Sequence, residues 1–160
     1  MSQHYHKNSK GVAVENDVVR GRIIRDTAFF DFQISILLSM YFGIDERSMQ
    51  FYSLIGQKLS LSRKVEILGE ICEDAKLKSA EVTAFIKILI KIRNYLAHQH
   101  FYDDRHKIFR DNSVVKVLDD WPSNYNIQYA LAKSRLQRIG KTKMFGKFHT
   151  PNYPHWKRPA

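Results

Sequence analysis

The sequence predicts an all-α fold, a bundle of helices that leaves room for one small β-hairpin and carries a basic C-terminal helix and tail. Two observations carry that prediction. Apolar residues recur at three- and four-residue steps through several long segments, the period of a helix face turned to a core. Serines open these segments and glycines close them, as helix ends favour. A chain of 160 residues is long enough for one domain with a real core and an appendage.

Residues 1–14 are polar at their start, show no apolar period and are expected to be disordered. Residues 15–42 read as a long first helix, with Val19, Ile23, Ile24, Phe30, Ile34, Leu37, Leu38 and Tyr41 in step and Gly43 as its stop. A shorter helix is expected from Glu46 to Lys58. Ser62 is the expected N-cap of a third, which runs to about Asp74 with Val65, Leu68, Ile71 and Cys72 turned inward. Cys72 is the single cysteine, so no disulfide forms within the chain. It reads as an inert core thiol in a reducing, cytoplasmic setting.

The segment "SAEVTAFIKILIKIRNYLAH" (79–98) is the most informative. Ser79 opens it, and Glu81 lies in its first turn, where the helix dipole favours an acid. Val82, Phe85, Ile86, Leu89, Ile92 and Leu96 form one stripe, which Ile88, Ile90 and Tyr95 widen over most of the circumference. Such a helix must be covered on most sides, either at the centre of a bundle or by a second subunit. A narrow polar seam remains at Thr83, Lys87, Lys91, Asn94 and His98. After it, "KIFRDNSVVKVL" reads as the hairpin, turning at Asp111-Asn112-Ser113. A further helix is capped near Ser123 and stops near Gly140. By this reading the chain divides into a disordered N-terminus (1–14), a helical bundle (15–105), a hairpin-like segment with the C-terminal helix (106–140) and an extended tail (141–160).

Charge is concentrated in the last part. The formal net charge is +10, and from Leu131 to Ala160 there are eight Lys or Arg and no acid. The preceding residues are nearly balanced. A basic tail that also carries Phe145, Phe148, Tyr153 and Trp156 suits a polyanion such as RNA, where phosphate contacts combine with stacking. Its candidate contacts are Lys141, Lys143, Lys147, Lys157 and Arg158, joined by Lys87 and Lys91 of the seam. Docking on a protein partner is the other use of such a tail. The longest strongly apolar run, "ISILLSMYF", is about half of what spans a bilayer, so no membrane association is expected. "MSQHYHKNSKG" lacks the apolar stretch of a secretory signal.

The candidate site is "KIRNYLAHQHFYDD". Asn94 and His98 are four apart and share a helix face. Arg93 and His98 are five apart, roughly 140° around an ideal helix, and diverge unless the helix ends or a second copy supplies one of them. A histidine can take a proton from a ribose 2′-OH, and an arginine can hold the phosphate under attack. DNA lacks that hydroxyl and would be spared. A plain alternative is a solvated helix end, where the dipole favours basic groups. His98, His100 and His106, with Asp103 and Asp104 nearby, lack the spacing of a zinc site, and no metal or cofactor is expected.

"IRNYLAH" resembles the R-x4-6-H motif of the HEPN superfamily (higher eukaryotes and prokaryotes nucleotide-binding domains) in its Arg-Asn-x-x-x-His form. The preceding "RIIRDTAFFDFQISILLSMYF" and "LSLSRKVEIL" extend the resemblance over about residues 15–105, towards the uncharacterised and mannitol-repressor-like branch. It implies an antiparallel helical bundle, dimeric through helix 79–98, and a metal-independent endoribonuclease of toxin–antitoxin or antiphage type. The catalytic residues would be Arg93, Asn94 and His98, with Asp31, His100 and Tyr102 in support. Many such toxins carry a tyrosine two residues after the motif histidine. Here His100 stands there, which argues against regulation by adenylylation, although an antitoxin or other regulatory partner remains part of the expectation. Other members of the superfamily bind nucleic acid or proteins without cleaving.

Overall fold

The computed structural model describes residues 17–43, 47–97 and 111–145. Within them the elements are α1 (Asp17–Phe42), α2 (Ser48–Phe51) running into a π-helical turn (Tyr52–Gly56), α3 (Leu61–Asp74), α4 (Ala80–Ala97), α5 (Asn112–Leu118), α6 (Ser123–Gly140) and a 3-10 turn (Lys143–Phe145). The all-α bundle is what the chain forms, and no strand occurs among the described residues.

α1 is apolar around much of its surface, yet Thr27, Ser35 and Ser39 lie buried on it. Their hydroxyls donate back to the carbonyls of Ile23 (2.6 Å), Asp31 (2.7 Å) and Ser35 (2.7 Å), so burial leaves none of them unpaired. At its end a Cβ on Gly43 would come within 2.3 Å of the Ser48 Cα and 2.5 Å of the Ser39 carbonyl oxygen. Glycine there lets α2 start directly across the end of α1.

Ser60, not Ser62, caps α3: its side chain accepts from the Arg63 N–H at 3.3 Å. Starting there brings Leu61, 3 % exposed, into the core, while Ser62 stays in solvent. At the other end the Leu77 N–H reaches the Cys72 carbonyl (2.7 Å) and the Lys76 N–H reaches that of Glu73 (3.0 Å), with Lys76 left-handed at φ 56°. This is a Schellman ending, which turns the chain back into α4.

Where the hairpin was expected, residues 112–118 form α5. Asp, Asn and Ser favour tight turns and helix N-caps alike. The spacing of the buried Val114, Val117 and Leu118 decides for the helix. Asp111 is its N-cap, accepting from the Ser113 N–H at 3.0 Å, and it also accepts from Lys91 Nζ of α4 at 2.6 Å. The Lys91 bond first, then those from Ser113, hold the Asp111 carboxyl well below the usual carboxylate range. Because the folded value is depressed, this stabilisation is complete above the unfolded value near pH 4 and is lost as pH falls through the folded one. Asp111→Ala is expected to cost about 1 kcal/mol at neutral pH. In acid titrations followed by circular dichroism, wild type should lose more stability below about pH 4 than the variant.

α6 begins at Ser123, which is its first helical residue and not its cap: the cap position is Pro122, without a side-chain bond. Tyr125, Ala132, Leu136 and Ile139 of α6 share one core cluster with α1, α3, α4 and α5. α6 therefore shares its core with the earlier helices. Phe145, placed in the extended tail by sequence, is fully buried with its ring 5.8 Å from that of Tyr41. Phe145 thus packs on the bundle.

Contacts between rings and side chains fix the directions. Asp26 meets Tyr125, Phe30 meets Tyr129 and Tyr41 meets Phe145, so α1 and α6 run parallel. Phe85 lies 5.9 Å from Phe30 and 5.7 Å from Tyr125, while Glu81 reaches Arg135 at 3.4 Å. α4 is thus antiparallel to α6 and hence to α1. Its C-terminus is level with the start of α1.

Candidate functional site

α4 packs against α1, α3, α5 and α6 of its own chain. Of the two ways to cover its broad apolar surface, the bundle supplies the cover. Phe85, Ile86, Leu89 and Ile92 are at most 2 % exposed, and even Ile90 is 7 % exposed. What stays in water is a narrow strip with Ala84, Lys87, Lys91 and Asn94; Thr83, expected on the seam, is half-buried. The seam inferred from sequence is the one open face of this helix.

Arg93 is half-buried beside that strip. Among the described residues it makes no ion pair or hydrogen bond. Asn94 next to it is exposed, three residues from the end of α4 at Ala97. A guanidinium that is partly desolvated and has no carboxylate beside it among the described residues keeps its donor fork available for a phosphate. Lys91 differs, being paired with Asp111, and Lys87 is exposed one turn earlier. His98, His100 and Tyr102 lie outside the described residues, as do Lys147, Lys157 and Arg158.

Asp31 is turned towards α3. It accepts from Lys64 Nζ at 2.6 Å, and Lys64 is buried with 4 % of its side chain exposed. The carboxylate serves as the counter-charge of a buried lysine. The acid that sequence reading missed is Asp26, whose side chain is 3 % exposed. It accepts from Tyr125 Oη (3.0 Å), Arg25 (3.1 Å) and Arg22 Nε (3.4 Å). Arg22 also donates to Asn126, and its guanidinium lies 4.8 Å from the centre of the Tyr125 ring and 5.6 Å from that of Trp121. Burial first, and Asp26 second, push the Tyr125 hydroxyl far above the usual tyrosine range. The signal was present in "RIIRD": Asp26 stands three after Ile23 and four before Phe30, on the apolar stripe itself.

Eight residues separate Phe85 from Arg93 along α4, and eight separate Phe30 from Arg22 along α1 in the opposite sense. Since Phe30 and Phe85 touch, Arg93 and Arg22 occupy the same end of the bundle. Lys141 and Lys143, both exposed, sit at the other end beside Phe145. Among the described residues, Lys141 and Lys143 are therefore not brought together with the Arg93 end. Cys72 is buried, and burial pushes its thiol up, which fits an inert core residue.

Among the described residues no group of three or more metal-capable side chains occurs, and no helix is long and apolar enough to cross a membrane. Comparison with protein-family models, with curated proteins and with solved structures gave no match to this chain.

Proposed function

We propose that the chain acts on RNA as a metal-independent endoribonuclease of HEPN type. The observation that carries this reading is Arg93, half-buried and without an ionic partner among the described residues, at the end of α4 and directly before the segment that holds His98. In the proposed reaction His98 takes the proton of a ribose 2′-OH. The oxygen attacks the adjacent phosphorus, the P–O5′ bond breaks, and the leaving oxygen takes up a proton. Arg93 holds the non-bridging oxygens as charge builds on them, and Asn94 orients the phosphate.

A homodimer belongs to the proposal on angular grounds alone. The roughly 140° between Arg93 and His98 on one ideal helix is relieved if each site draws on two copies. The apolar girth of α4 no longer asks for a second copy, since its own chain covers it. A cytoplasmic toxin or defence role, with an antitoxin or regulatory partner, goes with this reading.

The test is incubation of purified protein with mixed RNA in EDTA. Wild type should cleave RNA and spare DNA, and Arg93→Ala should cleave about 100-fold more slowly with its melting curve unchanged. Cleavage that requires added metal, or that persists undiminished in both Arg93→Ala and His98→Ala, would overturn the proposal. A second reading, an RNA-binding module without catalysis, is favoured by the basic, acid-free sequence that runs from the middle of α6 to Ala160. It expects binding with no products.

A further inference from the structure

The last two turns of α6 and the 3-10 turn after it expose Lys133, Arg138, Lys141 and Lys143. None of these four pairs with an acid among the described residues; Lys133 instead lies over the Phe29 ring at 5.6 Å. The neighbouring half of α1, from Phe32 to Phe42, carries no charged residue, and α6 itself has no Asp or Glu. Arg135, on the same helix, is set apart by its contact to Glu81. The result is a broad positive strip, spread over about 140° of the helix from Lys133 to Arg138, whose field no nearby acid among the described residues offsets, unlike the Lys91–Asp111 and Lys64–Asp31 pairs elsewhere.

Its position matters as much as its charge. The strip ends at Phe145, level with Tyr41, whereas Arg93 is level with Arg22. Nineteen helical residues separate Arg22 from Tyr41, so at 1.5 Å per residue the far end of the strip lies about 28 Å from the Arg93 end along the bundle, while Lys133, over Phe29, lies about 10 Å from it. A stacked strand rises about 3.4 Å per nucleotide, so about eight nucleotides are needed to reach from the Arg93 end along the whole strip.

We infer that the α6 strip is a second anchoring surface for RNA, distinct from the Arg93 end, and that the chain selects strands long enough to touch both. The inference rests on the proposed action on RNA and adds a length requirement to it. Linking two weak contacts through one ligand raises affinity only when the ligand spans them. Short oligomers occupy one end at a time, and longer ones gain both.

The test uses the full chain and 2′-O-methyl RNA, which keeps the phosphates but has no 2′-hydroxyl to react. Affinities are measured by fluorescence anisotropy for oligomers of about 4 to 20 nucleotides, at several salt concentrations. In wild type the longest should bind at least about 10-fold more tightly than the shortest, with the rise complete near eight nucleotides. The variant Lys133→Gln/Arg138→Gln/Lys141→Gln/Lys143→Gln should lose most of that advantage, and its salt slope on the longest oligomer should drop by about 3. A charge-keeping set (Lys133→Arg, Arg138→Lys, Lys141→Arg, Lys143→Arg) should retain it, which excludes damage to packing on Phe29. The same dependence on length in wild type and the glutamine variant would overturn the anchor while leaving cleavage of RNA intact. Failure of wild type to bind any oligomer would instead remove the RNA reading itself.

Discussion

Asp31→Ala is expected to lower the unfolding free energy by about 3–5 kcal/mol, the usual penalty for stripping a buried charge of its partner. Lys64 is the reason. Its side chain is 4 % exposed and its ammonium donates to Asp31 at 2.6 Å, whereas Asp31 itself is 37 % exposed. Removing the carboxylate leaves the lysine among Leu61, Val65 and Leu68 of its own helix face, without its counter-charge. The double variant Asp31→Ala/Lys64→Met should recover to within about 1.5 kcal/mol of wild type, since a methionine fills the space of the lysine stem without its charge. Urea unfolding of the four proteins in the cycle measures this, provided the slope with denaturant stays constant. A single variant as stable as wild type would mean that Lys64 is not held by Asp31. The cycle also bears on function: if the double variant folds and still acts on RNA, Asp31 is a structural counter-charge and not a supporting member of the site.

The helices were legible wherever periodicity was long. α1, α3, α4 and α6 all stand where three- and four-residue steps of apolar residues put them. Their ends were less so, because Ser60 and Ser62 are equally good caps in sequence, and only the need to bury Leu61 selects the first. α5 was misread since Asp111-Asn112-Ser113 fits a turn and a cap alike, and seven residues give a period little room to declare itself. That α4 is apolar on most sides was plain; whether a bundle or a second copy covers it depends on where α6 lands, which local pattern does not encode. Phe145 could not be placed from a stretch without period, because its burial comes from a contact with Tyr41 far away in the chain. At the site, Arg93 and Asn94 were found as a motif. The half-burial of Arg93, the pairing of Lys91 and the pairing of Asp31 are tertiary facts.

Asp26→Ala is expected to cost about 2–4 kcal/mol, somewhat less than Asp31→Ala although Asp26 is the more deeply buried acid. The groups it leaves behind differ. Arg25 is 73 % exposed and returns to water at little cost, and Arg22, 25 % exposed, keeps Asn126 and its place over Tyr125 and Trp121. The penalty comes mainly from the Tyr125 hydroxyl, fully buried and left with no acceptor. Tyr125→Phe should therefore cost only about 1 kcal/mol, and the pair Asp26→Ala/Tyr125→Phe less than the sum of the singles, because they share one hydrogen bond. Alkaline titration gives an independent reading. The folded value of Tyr125 is raised above that of the unfolded chain, so the native state holds a proton that the unfolded state gives up. Stability must then fall as pH rises above about 10, by at most about 1.4 kcal/mol per pH unit for this group. Tyr129, pushed up in the same direction by its own burial, adds to the slope, so Tyr125→Phe should flatten the decline without removing it. A decline equally steep in wild type and Tyr125→Phe would show that the phenol is not locked against Asp26. In that case Asp26 would answer only to the arginines, and the join between α1 and α6 would rest on Arg22 with Asn126 and on the rings of Phe29, Phe30 and Tyr129.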